Sequence, residues 1–197
     1  MAAIGITGGI ATGKSAFTDA LRAVLPQATF FDADRAAREL TDHDREVREI
    51  LTATFGDDIY SRGGDLNRAQ LRTIVFTDPE KKRALEQILH PRIRHQWAIE
   101  AERRRTSTDL FFADIPLLYE TGGEALCDRV VVIACSPRLQ LQRLMTRSSL
   151  DETAARQIIA AQMPLAEKIS RADHLIWNNG PPNVLAAQAE MLARALR

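Results

Sequence analysis

Residues 5–15 read Gly5-Ile6-Thr7-Gly8-Gly9-Ile10-Ala11-Thr12-Gly13-Lys14-Ser15. Gly8, Gly13, Lys14 and Ser15 fit the spacing G-x-x-x-x-G-K-[ST], in which backbone N–H groups surround phosphates, the lysine reaches the β/γ-phosphates and the hydroxyl holds Mg²⁺. Glycines let the backbone turn and come close to a phosphate. A helix beginning near Gly13 would turn its unpaired N–H groups and positive dipole end toward it. The flanks agree with this reading. Ala2 to Thr7 is a short apolar strand, and Ala16 to Leu21 continues as a helix with Phe17 and Leu21 four apart.

The chain has 197 residues, 45% of them hydrophobic, enough to bury one core with elaborations. Lys+Arg and Asp+Glu balance at 26 each, which argues against a general nucleic-acid or membrane binder. Cys127 and Cys135 lie outside any metal-ligand spacing and read as two reduced core thiols, pointing to the cytosol. No cationic segment followed by a long apolar run opens the chain, and no stretch has the length of a membrane span.

Five segments read as strands: Ala2 to Thr7, Thr29 to Asp32, Leu110 to Ile115, Arg129 to Cys135 and His174 to Asn178. Most are continuous apolar runs, as expected of strands buried on both faces. Helical stretches separate them. Ser136-Pro137 supplies a cap and an N1 proline, Ser149 to Glu152 reads as a capping box, and Leu185, Ala189, Leu192 and Leu196 stripe a final helix. The pattern predicts an α/β fold with a five-stranded parallel sheet. Residues 33–109, between the second and third strands, read as wholly helical: Arg45 to Phe55, Arg68 to Phe76, and a long helix from Pro79, capped by Asp78, to about Arg105. A second helical insertion, 137–172, carries six basic residues, of which Arg143 and Arg147 are four apart and share a face.

Phosphoryl transfer needs phosphate cradling, a metal, charge neutralisation and a group that orients the attacking hydroxyl. Asp32 and Asp34 follow the second strand, at the end of the sheet where α/β ligands sit. Either suits a proton acceptor, and Asp32 also suits a helix cap for the segment starting at Arg35. Leu110 to Asp114 has the apolar-run-plus-Asp form that holds Mg²⁺ in many such enzymes. Glu120 reads equally as a loop carboxylate or a polar site group, His90 beside Pro91 as a hydrogen-bonded helix histidine at a kink, and Asn178-Asn179-Gly180 as a strand-ending turn.

Together these pieces resemble the dephospho-coenzyme A kinases. The resemblance covers essentially the whole chain: Thr7 to Ser15, Asp32-Ala33-Asp34 with Ala37-Arg38, Leu66-Asn67-Arg68 with Leu71, Val75-Phe76, Leu89-His90-Pro91 with Ile93, Pro116-Leu117-Leu118 with Glu120, Ser136-Pro137 with Gln140-Leu141 and Arg143, then Arg147, Gln162, Lys168, Ala172-Asp173 and Asn178-Asn179-Gly180. It implies ATP- and Mg²⁺-dependent transfer to the ribose 3′-hydroxyl of dephospho-coenzyme A by a cytoplasmic enzyme. The implied P-loop kinase core covers 1–32, 110–136 and 173–197, with a helical acceptor-binding domain at 33–109 and a lid at 137–172. By position the resemblance makes Asp34, Lys14 and Arg143 catalytic. Ala11, Thr12, Gly13, Lys14, Ser15, Ala16, Arg147, Asn178 and Asn179 fall on the nucleotide, Asp32, Asp34, His90, Arg92 and Leu117 on the acceptor, and Ser15 and Asp114 on the metal. Ala11 stands where the family usually has Gly, Ala16 where many members have Thr, and Gly63 where Asp is frequent before Gly64. Alanine at position 11 is compatible with the loop if its φ is negative. The competing readings are another small-molecule kinase of the same architecture, acting on a nucleoside monophosphate or a sugar, and a regulatory GTPase. The latter usually carries Asn-Lys-x-Asp, which is absent here.

Overall fold

The computed structural model describes residues 3–104 and 109–196. The chain divides into two compact units, one formed by Met1–Phe31 with Glu100–Arg197 and the other by Asp32–Ile99.

The first unit is built on a five-stranded sheet. Its strands are β1 (Ala3–Gly8), β2 (Thr29–Asp32), β3 (Phe111–Asp114), β4 (Arg129–Ala134) and β5 (His174–Trp177), in the order β2-β3-β1-β4-β5. β1 is central and pairs in parallel with β3 and β4, and β4 pairs in parallel with β5. Its apolar residues are therefore covered on both sides. Ile4 and Ile6 pack with Phe112, Val131, Ile133 and Ile176 against helices α1 (Lys14–Val24) and α9 (Pro182–Ala195). Leu185, Ala189 and Leu192 lie on the buried stripe of α9, as their spacing predicts, and Leu196 packs at its margin. Each fully buried Leu, Ile or Phe contributes about 1.5–3 kcal/mol relative to exposure.

Burial on both faces does not extend to the outer strands. β2 is half-buried throughout, and Leu175 and Trp177 of β5 are 45% and 43% exposed. Both strands are sheet edges, so their apolar runs overstate their burial. The open edge of β5 is nevertheless occupied at one point: the Gln188 side chain of α9 accepts the Trp177 N–H at 3.0 Å and donates to its carbonyl at 3.2 Å.

The remaining helices of this unit are α6 (Pro137–Ser148), α7 (Glu152–Ala160) and α8 (Leu165–Ser170). Two predicted caps are corrected here. Ser149 terminates α6 in the left-handed region, φ 51, so it starts no helix. Asp151 caps α7 instead, accepting the Ala154 N–H at 2.8 Å. Ser136 precedes the N1 proline of α6 as expected, but its side chain makes no capping bond.

The second unit contains α2 (Ala33–His43), α3 (Arg45–Phe55), α4 (Arg68–Thr77) and most of α5 (Pro79–Arg103). Aspartates 32, 44 and 78 and Asn67 cap the four helices through side-chain acceptors. Leu40, Val47, Leu51, Phe55, Ile59, Leu66 and Leu71 form the unit's own core. The segment is not wholly helical, because Tyr60 and Leu66 form an isolated antiparallel bridge between α3 and α4. α5 runs through Pro91, and the predicted end of this helix at Arg105 lies outside the described residues, as does the predicted strand start at Ala2.

Candidate active site

The segment Gly8 to Ser15 leaves β1 and turns into α1, as strand-loop-helix phosphate sites require. Gly13 has φ 96, and a Cβ there would lie 2.0 Å from Asn178 Nδ2, so both the conformation and the close approach of Asn178 demand glycine. Ser15 and Ala16 are exposed at the start of α1. Lys14 is ion-paired with Asp114 at the end of β3, and the Thr18 hydroxyl donates to the other carboxylate oxygen at 3.1 Å. Asp114 is only 5% exposed. The loop lysine is thus held by an aspartate at the end of the neighbouring strand.

Three loop carbonyls accept from side chains of other segments. Lys168 of α8, 0% exposed, directs Nζ to the Gly8 carbonyl at 3.4 Å, the Pro116 carbonyl at 3.1 Å and Glu120 Oε1 at 2.8 Å. Gln140 Nε2 donates to the Ile10 carbonyl at 2.9 Å, and Gln162 Oε1 accepts the Ile10 N–H at 2.8 Å. The Thr12 carbonyl accepts from Asn178 Nδ2 at 2.9 Å and from Arg143 Nη1 at 3.4 Å, and Arg143 also donates to the Asn178 carbonyl at 3.1 Å. These donors offset the partial negative charge of the loop carbonyls, which would otherwise repel an anion. Arg143, expected at phosphate, meets the loop through backbone carbonyls, and the resemblance gave no role to Lys168, Gln140 or Gln162. Their sequence signal was their place among the residues that carry the resemblance, with no function attached to it.

Ala11 has φ 59, which overturns the expectation of a negative φ at this position. A residue with a Cβ pays roughly 1–2 kcal/mol there, so the loop is held in a conformation its sequence disfavours.

The other expected nucleotide residues fall into two groups. Asn178 is buried against the loop, while Asn179 Oδ1 accepts the Ser136 N–H at 2.8 Å and so fastens the start of α6. Arg147 is exposed one turn beyond Arg143, with no polar partner among the described residues. Leu117 is partly buried, its carbonyl accepting from the Thr121 hydroxyl at 2.8 Å.

Asp32, Asp34, His90 and Arg92 belong to the second unit. Asp32 Oδ1 accepts the Arg35 N–H at 2.9 Å, the capping role its position allowed. Asp34 is exposed in the first turn of α2. Arg92 donates to Glu46 at 2.6 Å and to the Ile88 carbonyl at 3.0 Å, thereby tying α5 to α3. His90 is half-buried and has no hydrogen bond among the described residues, so the hydrogen-bonded histidine expected there is corrected. An open cleft of about 820 Å³ in this unit, lined by Asp42, Arg48 and Tyr60 among others, includes none of the four.

Among the described residues no group of three or more His, Cys, Asp or Glu side chains comes together. A hydroxyl and one carboxylate are hard oxygen donors of the kind Mg²⁺ takes alongside substrate phosphates, so Ser15 and Asp114 fit it.

The stretch after β3 carries two acids with raised pKa values. Burial pushes Tyr119 up to about 12, against the opposing charge of Arg171, and its hydroxyl donates to the Arg171 carbonyl at 2.9 Å. Burial, assisted by the charges of Asp128 and Glu124, pushes Cys127 up to about 12. From ordinary values of 10 and 9, the unfolded chain releases these protons before the folded one does. The contribution is intact below pH 9 and is lost as pH rises toward 12. Urea melts at successive pH values from 8 to about 11 should show this fall, and Cys127→Ala should flatten its first part. An unchanged slope would remove Cys127 from the account.

The family model for dephospho-CoA kinase matches residues 2–183. A dephospho-CoA kinase of Anaeromyxobacter dehalogenans is 42% identical over 200 residues, covering 100% of this chain and 93% of the relative. That of Geobacillus kaustophilus is 41% identical, covering 90% and 88%. Among solved structures, a Thermus thermophilus protein superposes with TM-score 0.79 at 31% identity over 100% of this chain and 98% of that one. A dephospho-CoA kinase from Campylobacter jejuni superposes at 0.74 with 27% identity, over 98% and 96%.

Proposed function

Because this chain belongs to the dephospho-CoA kinase family, we infer that it transfers the γ-phosphoryl group of ATP to the ribose 3′-hydroxyl of dephospho-coenzyme A, the last step of coenzyme A synthesis. The observation that carries the site reading is the Gly8 to Ser15 loop, its carbonyls engaged by side chains of other segments and its lysine beside Asp114. In the transfer, the acceptor's 3′-oxygen bonds to the γ-phosphorus as the bond to the β–γ bridging oxygen breaks and ADP departs. Lys14 exchanges Asp114 for the phosphates and neutralises the charge that develops on them. Asp34, just past the end of β2, orients the hydroxyl and takes its proton, which then passes to solvent. When bound, Mg²⁺ would be held by Ser15 and Asp114 and would screen the phosphate charge.

Residues 33–109 serve the acceptor, with His90, Arg92 and Leu117 among its contacts, and 137–172 closes as a lid that brings Arg147 to the phosphates. Among the described residues no helix is long and apolar enough to cross a membrane, and both cysteines are free thiols. These features are consistent with a cytoplasmic enzyme whose substrates are ATP and dephospho-coenzyme A.

The test is ADP release from ATP with and without dephospho-coenzyme A, run beside nucleoside monophosphates and sugars. Release that depends on dephospho-coenzyme A alone is expected. Equal release without an acceptor would make the protein an ATPase, and preference for another acceptor would make it a different kinase.

A further inference from the structure

The peptides on both sides of Ala11 are tied down, one directly and one through its neighbour. The 9–10 peptide has its N–H on Gln162 Oε1 at 2.8 Å, and its carbonyl accepts both the Thr12 hydroxyl at 2.8 Å and the Thr12 N–H at 3.3 Å. The 10–11 peptide has its carbonyl on Gln140 Nε2 at 2.9 Å. Ala11 stands at φ 59 between the 10–11 peptide, fixed by Gln140, and the 11–12 peptide, whose N–H is held by the Gly9 carbonyl of the plane that Gln162 fixes, a conformation that nothing in its own side chain favours. Rotation of Ala11 back to negative φ would break the Gln140 bond or detach Thr12 from Gly9.

We propose that Gln162, together with Gln140, is a positioning residue: it keeps Ala11 left-handed so that the loop N–H groups are aimed before ATP arrives. Gln162 lies between α7 and α8, so the bond joins the loop to a segment distant in sequence. The consequence is specific. ATP affinity depends on Gln162 because position 11 is alanine, and the dependence should fade where the backbone adopts positive φ without strain. This inference rests on the loop being the ATP phosphate site.

The test is a double-mutant cycle on the full chain, reading the Kd for ATP by titration calorimetry and the KM for ATP by turnover. Gln162→Leu should weaken ATP binding by about ten-fold, equivalent to about 1.4 kcal/mol, with a smaller change in kcat. With Ala11→Gly also present, the same substitution should weaken it by no more than about two-fold. A role in packing alone would give equal losses in both backgrounds, and that result overturns the proposal, as does an unchanged Kd in the single variant. Gln162→Asn, one methylene too short to reach the Ile10 N–H, repeats the cycle should the leucine variant fail to fold. Lys14→Ala separates the two failures: if it too leaves the ATP Kd and turnover unchanged, the loop reading itself is wrong.

Discussion

Lys14→Ala is expected to lower kcat by about 10²-fold or more, because a charge aimed at the transferring phosphoryl group acts mainly in the transition state. Its second effect follows from the pairing of Lys14 with Asp114. Removing the ammonium takes from Asp114, 5% exposed, the cation it pairs with on the loop. Breaking a buried pair from one side costs about 3–5 kcal/mol, so the variant should also melt earlier. Lys14→Ala with Asp114→Asn should regain most of that stability and none of the turnover. Thermal melts and steady-state kinetics on the same preparations distinguish the two effects. Turnover within about three-fold of the parent would remove Lys14 from the chemistry.

Asp34→Asn keeps the size of the side chain and one acceptor oxygen while removing its charge and basicity. A carboxylate of ordinary pKa cannot deprotonate a free alcohol, but in a loose transition state the proton leaves late, and orientation with a weak base suffices. Turnover should fall by roughly 10² to 10⁴ with ATP affinity nearly unchanged. Asp32→Ala gives the contrast. Its carboxylate caps α2 through the Arg35 N–H, so its loss should cost about 1 kcal/mol of stability and less turnover. If Asp32→Ala abolished turnover while Asp34→Asn preserved it, the assignment of the base would be reversed.

The local features were legible because local spacing determines them. β2 and α3 lie within their predicted limits, Asp78 caps α5, and the stripe of α9 faces the core. The phosphate loop was readable for the same reason, since its glycines, lysine and serine act within a few residues of one another. What fixes the loop was not readable. Ile10 meets Gln140 and Gln162 across 130 and 152 positions, and Gly8 meets Lys168 across 160. A basic residue in a helical insertion ordinarily faces water; Lys168 is buried because one carboxylate and two carbonyls converge on it from other segments. Ser149 misled for a related reason. Its spacing to Glu152 fits a cap, but the turn that ends α6 claims its backbone first.

The pairing of Gln188 with Trp177 bears on how the molecule behaves when it loosens. A primary amide presents one donor and one acceptor much as a peptide does, so Gln188 substitutes for a neighbouring strand at the exposed margin of β5. Edge strands elsewhere are guarded by charges, prolines or bulges of their own; here part of the guard is carried by a helix. α9 also covers the core face of the sheet, so any excursion that peels it away uncovers apolar side chains and a hydrogen-bonding rim together. Such partly opened chains can recruit one another through added strands, which makes detachment of α9 the step from which self-association and precipitation would begin.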